Sequence, residues 1–224
     1  MIRNANNVDI TQLLDRGLGS LLYDGPEGTI VRRGEKGSIL TDIPLGRQLM
    51  PILRELQLEK PLQFAVKSAD AFEALRLEYG LQESCPCSQW IYLSEEAPAQ
   101  VDCDIRPLEQ CHGPVVASLY HLVEDSLSYV TERIACGELW GLFEEGNLAG
   151  FIGAHDEGAI GMLEILPAYR RKGYGYALEA WLIAHQLRQG WIPYCHVVEG
   201  NEASIRLQKK LGMEQTSLPA LWIS

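Results

Sequence analysis

The sequence predicts a mixed α/β protein, a mixed sheet flanked by helices, with a smaller α/β unit over residues 1–98 ahead of a larger one over residues 99–224. Three observations carry this. Short β-like runs interleave with segments of helical period along the whole chain. Between Ser94 and Gln100 the pattern lapses into a polar, proline-containing stretch that reads as a linker. From Leu163 to Leu178 an apolar run stops at Pro167, a basic glycine-containing loop follows, and a helical pattern begins.

In the first unit, Val8 to Leu18 has helical spacing. Thr29 to Arg32 and Ser38 to Thr41 read as strands of a hairpin over Gly34 to Gly37. Leu45 to Leu58 is helical, with Leu49, Ile52, Leu53 and Leu56 on one face. Leu62 to Val66 is a strand, Ala69 to Tyr79 a helix stopped by Gly80, and Gln89 to Leu93 another strand. No glycine loop or cluster of catalytic residue types marks this unit.

In the second unit, Asp104 to Leu108 is a strand, and Pro114 to His121 and Ser126 to Cys136 are short helices, the latter with Ser126 as N-cap. Leu139 to Phe143 and Leu148 to Ile152 form a hairpin over Glu145 to Asn147, and Met162 to Leu166 is the next strand. Tyr176 to Gln189 is a helix with Leu178, Trp181 and Leu182 on its apolar face. Tyr194 to Val198 is a strand, Asn201 caps a helix ended by Gly212, and Thr216 to Ile223 completes the sheet.

Composition narrows the function. A net charge of −11 on 224 residues argues against nonspecific binding of nucleic acid or anionic membrane. Met1 to Asn7 has no apolar signal core, and no apolar run approaches membrane-spanning length, so a soluble cytoplasmic chain is expected. A monomer or homodimer is expected. The six cysteines are scattered apart from Cys85 and Cys87, whose single-residue spacing does not fit a zinc knuckle, so no metal is expected.

The loop from Arg170 to Gly175 is where chemistry concentrates. The first N–H groups of a helix lack internal partners and carry the positive end of its dipole, so a phosphate can take them. Gly173 and Gly175 permit close backbone approach, and Arg170, Arg171 and Lys172 add charge. The spacing fits neither a P-loop nor a Gly-x-Gly-x-x-Gly dinucleotide loop. It reads Arg170-x-x-Gly173-x-Gly175 and is followed by Tyr194 to Val198, Asn201-x-x-Ser204, Leu207 and Leu211-Gly212-Met213. Together these resemble the GNAT-type N-acetyltransferase superfamily, most nearly its glycine N-acyltransferase-like branch, over about the C-terminal half of the chain.

The resemblance implies a splayed sheet, acetyl-CoA as co-substrate, and transfer of the acetyl group by direct attack in a ternary complex onto a primary amine of a small molecule or amino acid. It implies that backbone groups of Ile165 and Leu166 hold the pantetheine arm. The pyrophosphate would lie on Arg170, Arg171, Lys172, Gly173, Tyr174 and Gly175, with Tyr176 opening the helix. Asn201 and Ser204 would lie beside the pantetheine and thioester, and Glu124 and Asp125, in the turn between the first two helices, would attract the acceptor. Two departures stand out: Gln208 falls where many members carry a proton-donating Tyr, and the family's strand-borne glutamate usually falls nearer Ala159.

For the base, Glu164 is the candidate, since a carboxylate inside an apolar strand is costly unless paired, hydrated or functional. Its alternative is a structural carboxylate. His196 is the candidate acid or proton relay, with a structural role as its alternative; Cys195 as an acyl carrier lacks a visible activating environment. Two other readings keep the same residues: an acyl-CoA-binding sensor without catalysis, and transfer of a longer acyl chain.

Overall fold

The computed structural model describes residues 5–59, 62–120 and 125–224. Its helices are α1 (Val8–Asp15), α2 (Gly46–Leu56), α3 (Ala69–Tyr79), α4 (Gly113–Ala117), α5 (Ser126–Ala135), α6 (Tyr174–Arg188) and α7 (Glu202–Leu211). Its strands are β1 (Gly19–Gly25), β2 (Gly28–Arg33), β3 (Ile39–Thr41), β4 (Phe64–Val66), β5 (Ser84–Ile91), β6 (Asp104–Pro107), β7 (Leu139–Glu144), β8 (Asn147–Ala154), β9 (Ile160–Ile165), β10 (Tyr194–Val198), β11 (Glu214–Gln215) and β12 (Ala220–Ile223).

All belong to one mixed sheet ordered β1-β2-β3-β4-β12-β5-β10-β9-β8-β7-β6, with β11 alongside β5. Residues 92–103, which include the linker predicted at Ser94 to Gln100, carry no helix or strand, yet the sheet runs through both flanking segments. The joint is β12, antiparallel to both β4 and β5.

Local chemistry sets the element ends. Ser68 accepts from Ala71 N–H at 3.1 Å and starts α3, and Gly80 ends it in the left-handed region at φ 69°. Asp70 of α3 reaches back to accept from Gly46 N–H at 2.6 Å, satisfying the start of α2, whose own N-cap position holds Leu45. Glu145 and Gly146, with φ of 50° and 80°, form the tight turn of the β7–β8 hairpin. Strand β1, absent from the sequence reading, is a largely half-exposed strand at the sheet edge, entered and left at glycines.

Two helical layers cover the C-terminal strands. On one face α6 packs Leu178, Leu182 and Ile183 against Trp140, Ile152 and Val197. On the other, Val116 of α4 and Val130 and Ile134 of α5 pack against Leu139, Phe151 and Met162. A separate core joins α2 and α3 to β2–β4 through Leu49, Leu53, Leu75, Ile30 and Phe64.

A buried polar network ties these parts together. Lys67, just after β4, donates to Asp9 of α1 at 2.5 Å and to Gln89 of β5 at 2.8 Å, and both ion-pair side chains are almost wholly buried. Gln89 Nε2 donates to the backbone carbonyl of Asn6 at 3.0 Å. Removing one partner of such a pair strands a buried charge. Lys67→Met should therefore cost about 3–5 kcal/mol of unfolding free energy. Adding Asp9→Leu should recover much of it. Urea titration of the single and double variants checks this.

Candidate active site

The site is a gap in the sheet. Strand β10 pairs with β5 along its whole length, from Tyr194↔Ile91 to Val198↔Cys87, but touches its parallel neighbour β9 at one pair, Cys195↔Ile160. Beyond that pair the two strands diverge, and a cavity of about 680 Å³ opens between them. That is the size of a small-molecule site. Its walls come from both sheet faces: Leu119, Tyr120 and His155 on the α4–α5 side, and Gly175, Glu179, Leu207 and Gln208 on the α6–α7 side.

A β-bulge shapes β9. Phe151 pairs with Glu164 but Gly153 pairs with Gly161, so β9 carries one extra residue, and Met162 takes φ 55°. Gly161, Met162 and Glu164 thereby all face α4 and α5, while Ile160, Leu163 and Ile165 face α6.

At the mouth of the gap stands α6. The helix begins at Tyr174, not Tyr176: Gly173 takes the left-handed conformation at φ 84° and serves as N-cap, which lets the helix start two residues early. The first bond closing on this turn runs from Ala177 N to Gly173 O at 3.1 Å, leaving the amides of Tyr174, Gly175 and Tyr176 ahead of it. A Cβ on Gly175 would meet Leu207 and Ile165 at 3.8 and 4.0 Å, ordinary contact, but a longer side chain would enter the cavity that Gly175 lines.

The loop's charges are engaged. Arg170 folds back over β9, donating from Nε to Ile165 O and from Nη2 to Glu164 Oε1, both at 3.0 Å. Lys172 Nζ and Tyr174 Oη donate to Glu144 at 2.8 and 2.5 Å, and Arg171 is exposed at φ 66°. Those hydrogen bonds push the Lys172 ammonium up and the Glu144 carboxyl down from their ordinary values. Lys210 Nζ lies 4.9 Å from the Tyr176 ring. Of the two backbone positions expected to face a ligand, Ile165 lines the cavity, its carbonyl accepting from Arg170 Nε. Leu166 N–H is instead committed to Ala149 O at 2.9 Å, because successive residues of a strand bond to opposite sides.

The cavity brings together Glu164, Ile165, Arg170, Gly175, His196, Asn201 and Ser204. Asn201 caps α7, accepting from Ser204 N–H at 3.1 Å, and Ser204 Oγ accepts from Gln208 Nε2 at 3.3 Å. Asp125 does not line the cavity; it is exposed and caps α5 by accepting from Ser128 N–H at 3.1 Å, the role predicted for Ser126, which is instead the first helical residue. Glu124 lies outside the described residues.

His196 lines the cavity, but its ring is fixed: Nδ1 accepts from Trp222 Nε1 at 3.3 Å and Nε2 faces Gln89 Oε1 at 3.3 Å. Burial pushes its pKa down to about 3, against the opposing pull of Asp9. That is the setting of a neutral, positioned imidazole rather than of an acid working near neutrality. Three ionisable cavity residues carry no role in the sequence analysis: Tyr120, His155 and Glu179. His155 Nδ1 lies 2.8 Å from Tyr129 Oη, and burial holds its pKa down to about 4. A lone acid in an otherwise apolar helix was the available signal for Glu179.

Comparison with known proteins agrees with this geometry. The segment 139–223 matches the FR47-like protein family. Among solved structures, a Drosophila protein aligns with TM-score 0.68 at 19% identity, covering 88% of this chain and 73% of that one. A GNAT-family protein from Novosphingobium aromaticivorans aligns at 0.61 and 17%, covering 97% and 96%. A GCN5-related N-acetyltransferase from Kribbella flavida aligns at 0.60 and 11%, covering 99% and 96%. The fold is that of GNAT acetyltransferases over nearly the whole chain. No curated protein matches the sequence.

Two buried neutral histidines predict acid sensitivity. Their folded pKa values lie below the ordinary 6.5, so the unfolded chain takes up protons first and stability falls as pH drops below that value. The loss is on the order of 3 kcal/mol per histidine by pH 4. Glu179, raised to about 7 by burial, works oppositely as pH falls from 7 toward 4.5. Urea midpoints between pH 7 and 4 should fall more steeply for the unmodified chain than for the His155→Gln, His196→Gln double variant.

Proposed function

We propose that the protein is an N-acetyltransferase, taking an acetyl group from acetyl-CoA and placing it on a primary amine. The observation that carries this is the gap between β9 and β10 with a helix start that has no side-chain cap and is flanked by glycines at its mouth. The GNAT fold and the FR47-like match over 139–223 support it.

In this reading the pyrophosphate takes the amides at the start of α6, and Arg170 leaves Glu164 to meet it. Gly173 and Gly175 fit such a ligand: a Cβ on Gly173 would have open space around it, but φ 84° strains any other residue there. The pantetheine lies in the gap, within reach of the Ile165 carbonyl. The amine approaches from the α4–α5 face, where Glu164 stands 35% exposed at the cavity wall and is the base that removes its proton. Walls from Leu119, Tyr120, Phe151 and Met162 make this side mainly apolar. The acceptor is therefore expected to be a small amine or amino acid with an apolar or aromatic body.

Two variants test the reading. Gly175→Leu should keep the native melting temperature but abolish the upward shift that acetyl-CoA gives the unmodified protein; an undiminished shift would move the ligand elsewhere. Glu164→Gln should lower kcat on the order of a hundredfold with little change in acetyl-CoA affinity, and raising the pH should partly restore the rate because more amine is already neutral. Retention of full rate at neutral pH would return Glu164 to a structural role. Failure of every amine in a broad panel, with acetyl-CoA bound, would favour a sensor.

A further inference from the structure

A second carboxyl group lines the gap from the opposite face. Glu179 sits one turn beyond Gly175 on α6, the same helix face, and so projects into the cavity whose mouth that turn forms. It is 2% exposed. Its Oε2 and the Oε1 of Gln208, also a cavity residue, are both buried without a hydrogen-bond partner. Two buried acceptors left unmatched are costly unless a proton or a ligand donor stands between them. Among the described residues no cation pairs with Glu179. Around it, β10 presents Cys195, whose thiol burial pushes well up, and α7 presents the neutral Gln208.

We propose that the Glu179 carboxyl, oriented by Gln208, is the proton donor to the thiolate that departs when acetyl transfer occurs. The assignment rests on the transferase reading above. The geometry divides the two proton transfers between the two faces of the sheet. Glu164 faces α4 and α5, where the amine would enter; Glu179 faces the gap from α6, on the side of the helix that holds the pyrophosphate in that reading. The amine lone pair forms the C–N bond and the carbonyl oxygen takes up the π pair. On collapse the C–S bond breaks with its electrons on sulfur, Glu179 gives its proton to that sulfur, and the thiol leaves. The ammonium proton goes to Glu164, which releases it to solvent, and the Glu179 carboxylate is reprotonated from solvent before the next turnover. Gln208 cannot supply that proton, since an amide donates a hydrogen bond without releasing its hydrogen at neutral pH.

Electrostatics agree. Burial pushes the Glu179 pKa up to about 7, with the Gln208 hydrogen bond pulling weakly the other way. The carboxyl is thus about half protonated at neutrality and largely protonated a unit below, within about two units of a thiol near 8.5, so transfer between them is nearly balanced. A thiolate is a modest base, and the gain is expected to be tenfold to a hundredfold rather than more.

The test is the pH dependence of acetyl transfer to an amine that the unmodified chain accepts, with Glu179→Gln, and with Glu179→Leu in case the amide disturbs folding. For the unmodified chain kcat, corrected for the neutral amine fraction, should fall on the alkaline side of about pH 7. Both variants should be tenfold to a hundredfold slower at pH 6.5 with that alkaline fall gone, at unchanged acetyl-CoA affinity. A second readout needs no turnover. Because the folded carboxyl holds its proton above the unfolded value, its burial costs stability increasingly as pH rises from 4.5 through 7, so the melting temperature of Glu179→Leu relative to the unmodified chain should rise over that range. Full rate in the variants, a slowed rate with the alkaline fall intact, or a pH-independent stability difference overturns the assignment alone. Binding of acetyl-CoA without turnover by the unmodified chain overturns the transferase reading and the assignment with it.

Discussion

The cleft depends on one omission in the hydrogen-bond ladder. Strand β10 is held by β5 at five consecutive pairs and by β9 at one. Parallel strands normally share bonds all along, and unpaired backbone groups inside a protein are expensive. The divergence persists because each strand is secured on its other side, β10 by β5 and β9 by the antiparallel β8. What is left between them is a slot, the cavity of about 680 Å³. The bulge at Met162 then turns Gly161, Met162 and Glu164 to the same face, on the α4–α5 side of the gap.

The wall behind this slot is polar and fixed. His196 faces the cavity but belongs to the chain of contacts through Gln89 and Lys67 to Asp9. That chain links the first helix, the strand-end at Lys67, the shared strand β5 and β10. The N-terminal segment therefore positions one side of the cleft, although among the described residues none before Leu119 lines the cavity. In the transferase reading, its contribution is to orient β10 rather than to carry chemistry.

How much of this was legible in the sequence follows from how local each determinant is. Helix α3 could be read to the residue because Ser68 and Gly80 mark its ends. Asn201 as a cap, the Glu145–Gly146 turn, the β10 run and the glycine loop were equally local. Strand β1 escaped because its half-exposed residues show no buried face. The early start of α6 depends on the left-handed Gly173, and the cap at Asp125 on which of two neighbouring polar side chains bends back. The role of Glu179 was hidden for a different reason. Helix α6 is buried on most sides, so its period does not distinguish a cleft-facing position from a core-facing one, and only the unpartnered oxygen in the folded state separates them.

The place of β12 has a consequence for how the molecule is assembled. Residues 220–223 lie in the middle of the sheet, with β4 on one side and β5 on the other, and Ser224 exchanges backbone bonds with Glu83. During synthesis from the N-terminus, β4 and β5 emerge about 150 and about 130 residues, respectively, before the strand that joins them. Until it arrives each presents an open edge, a template for pairing with the wrong chain. The finished sheet therefore closes from its centre and late. Its nascent form is the state most in need of protection from aggregation.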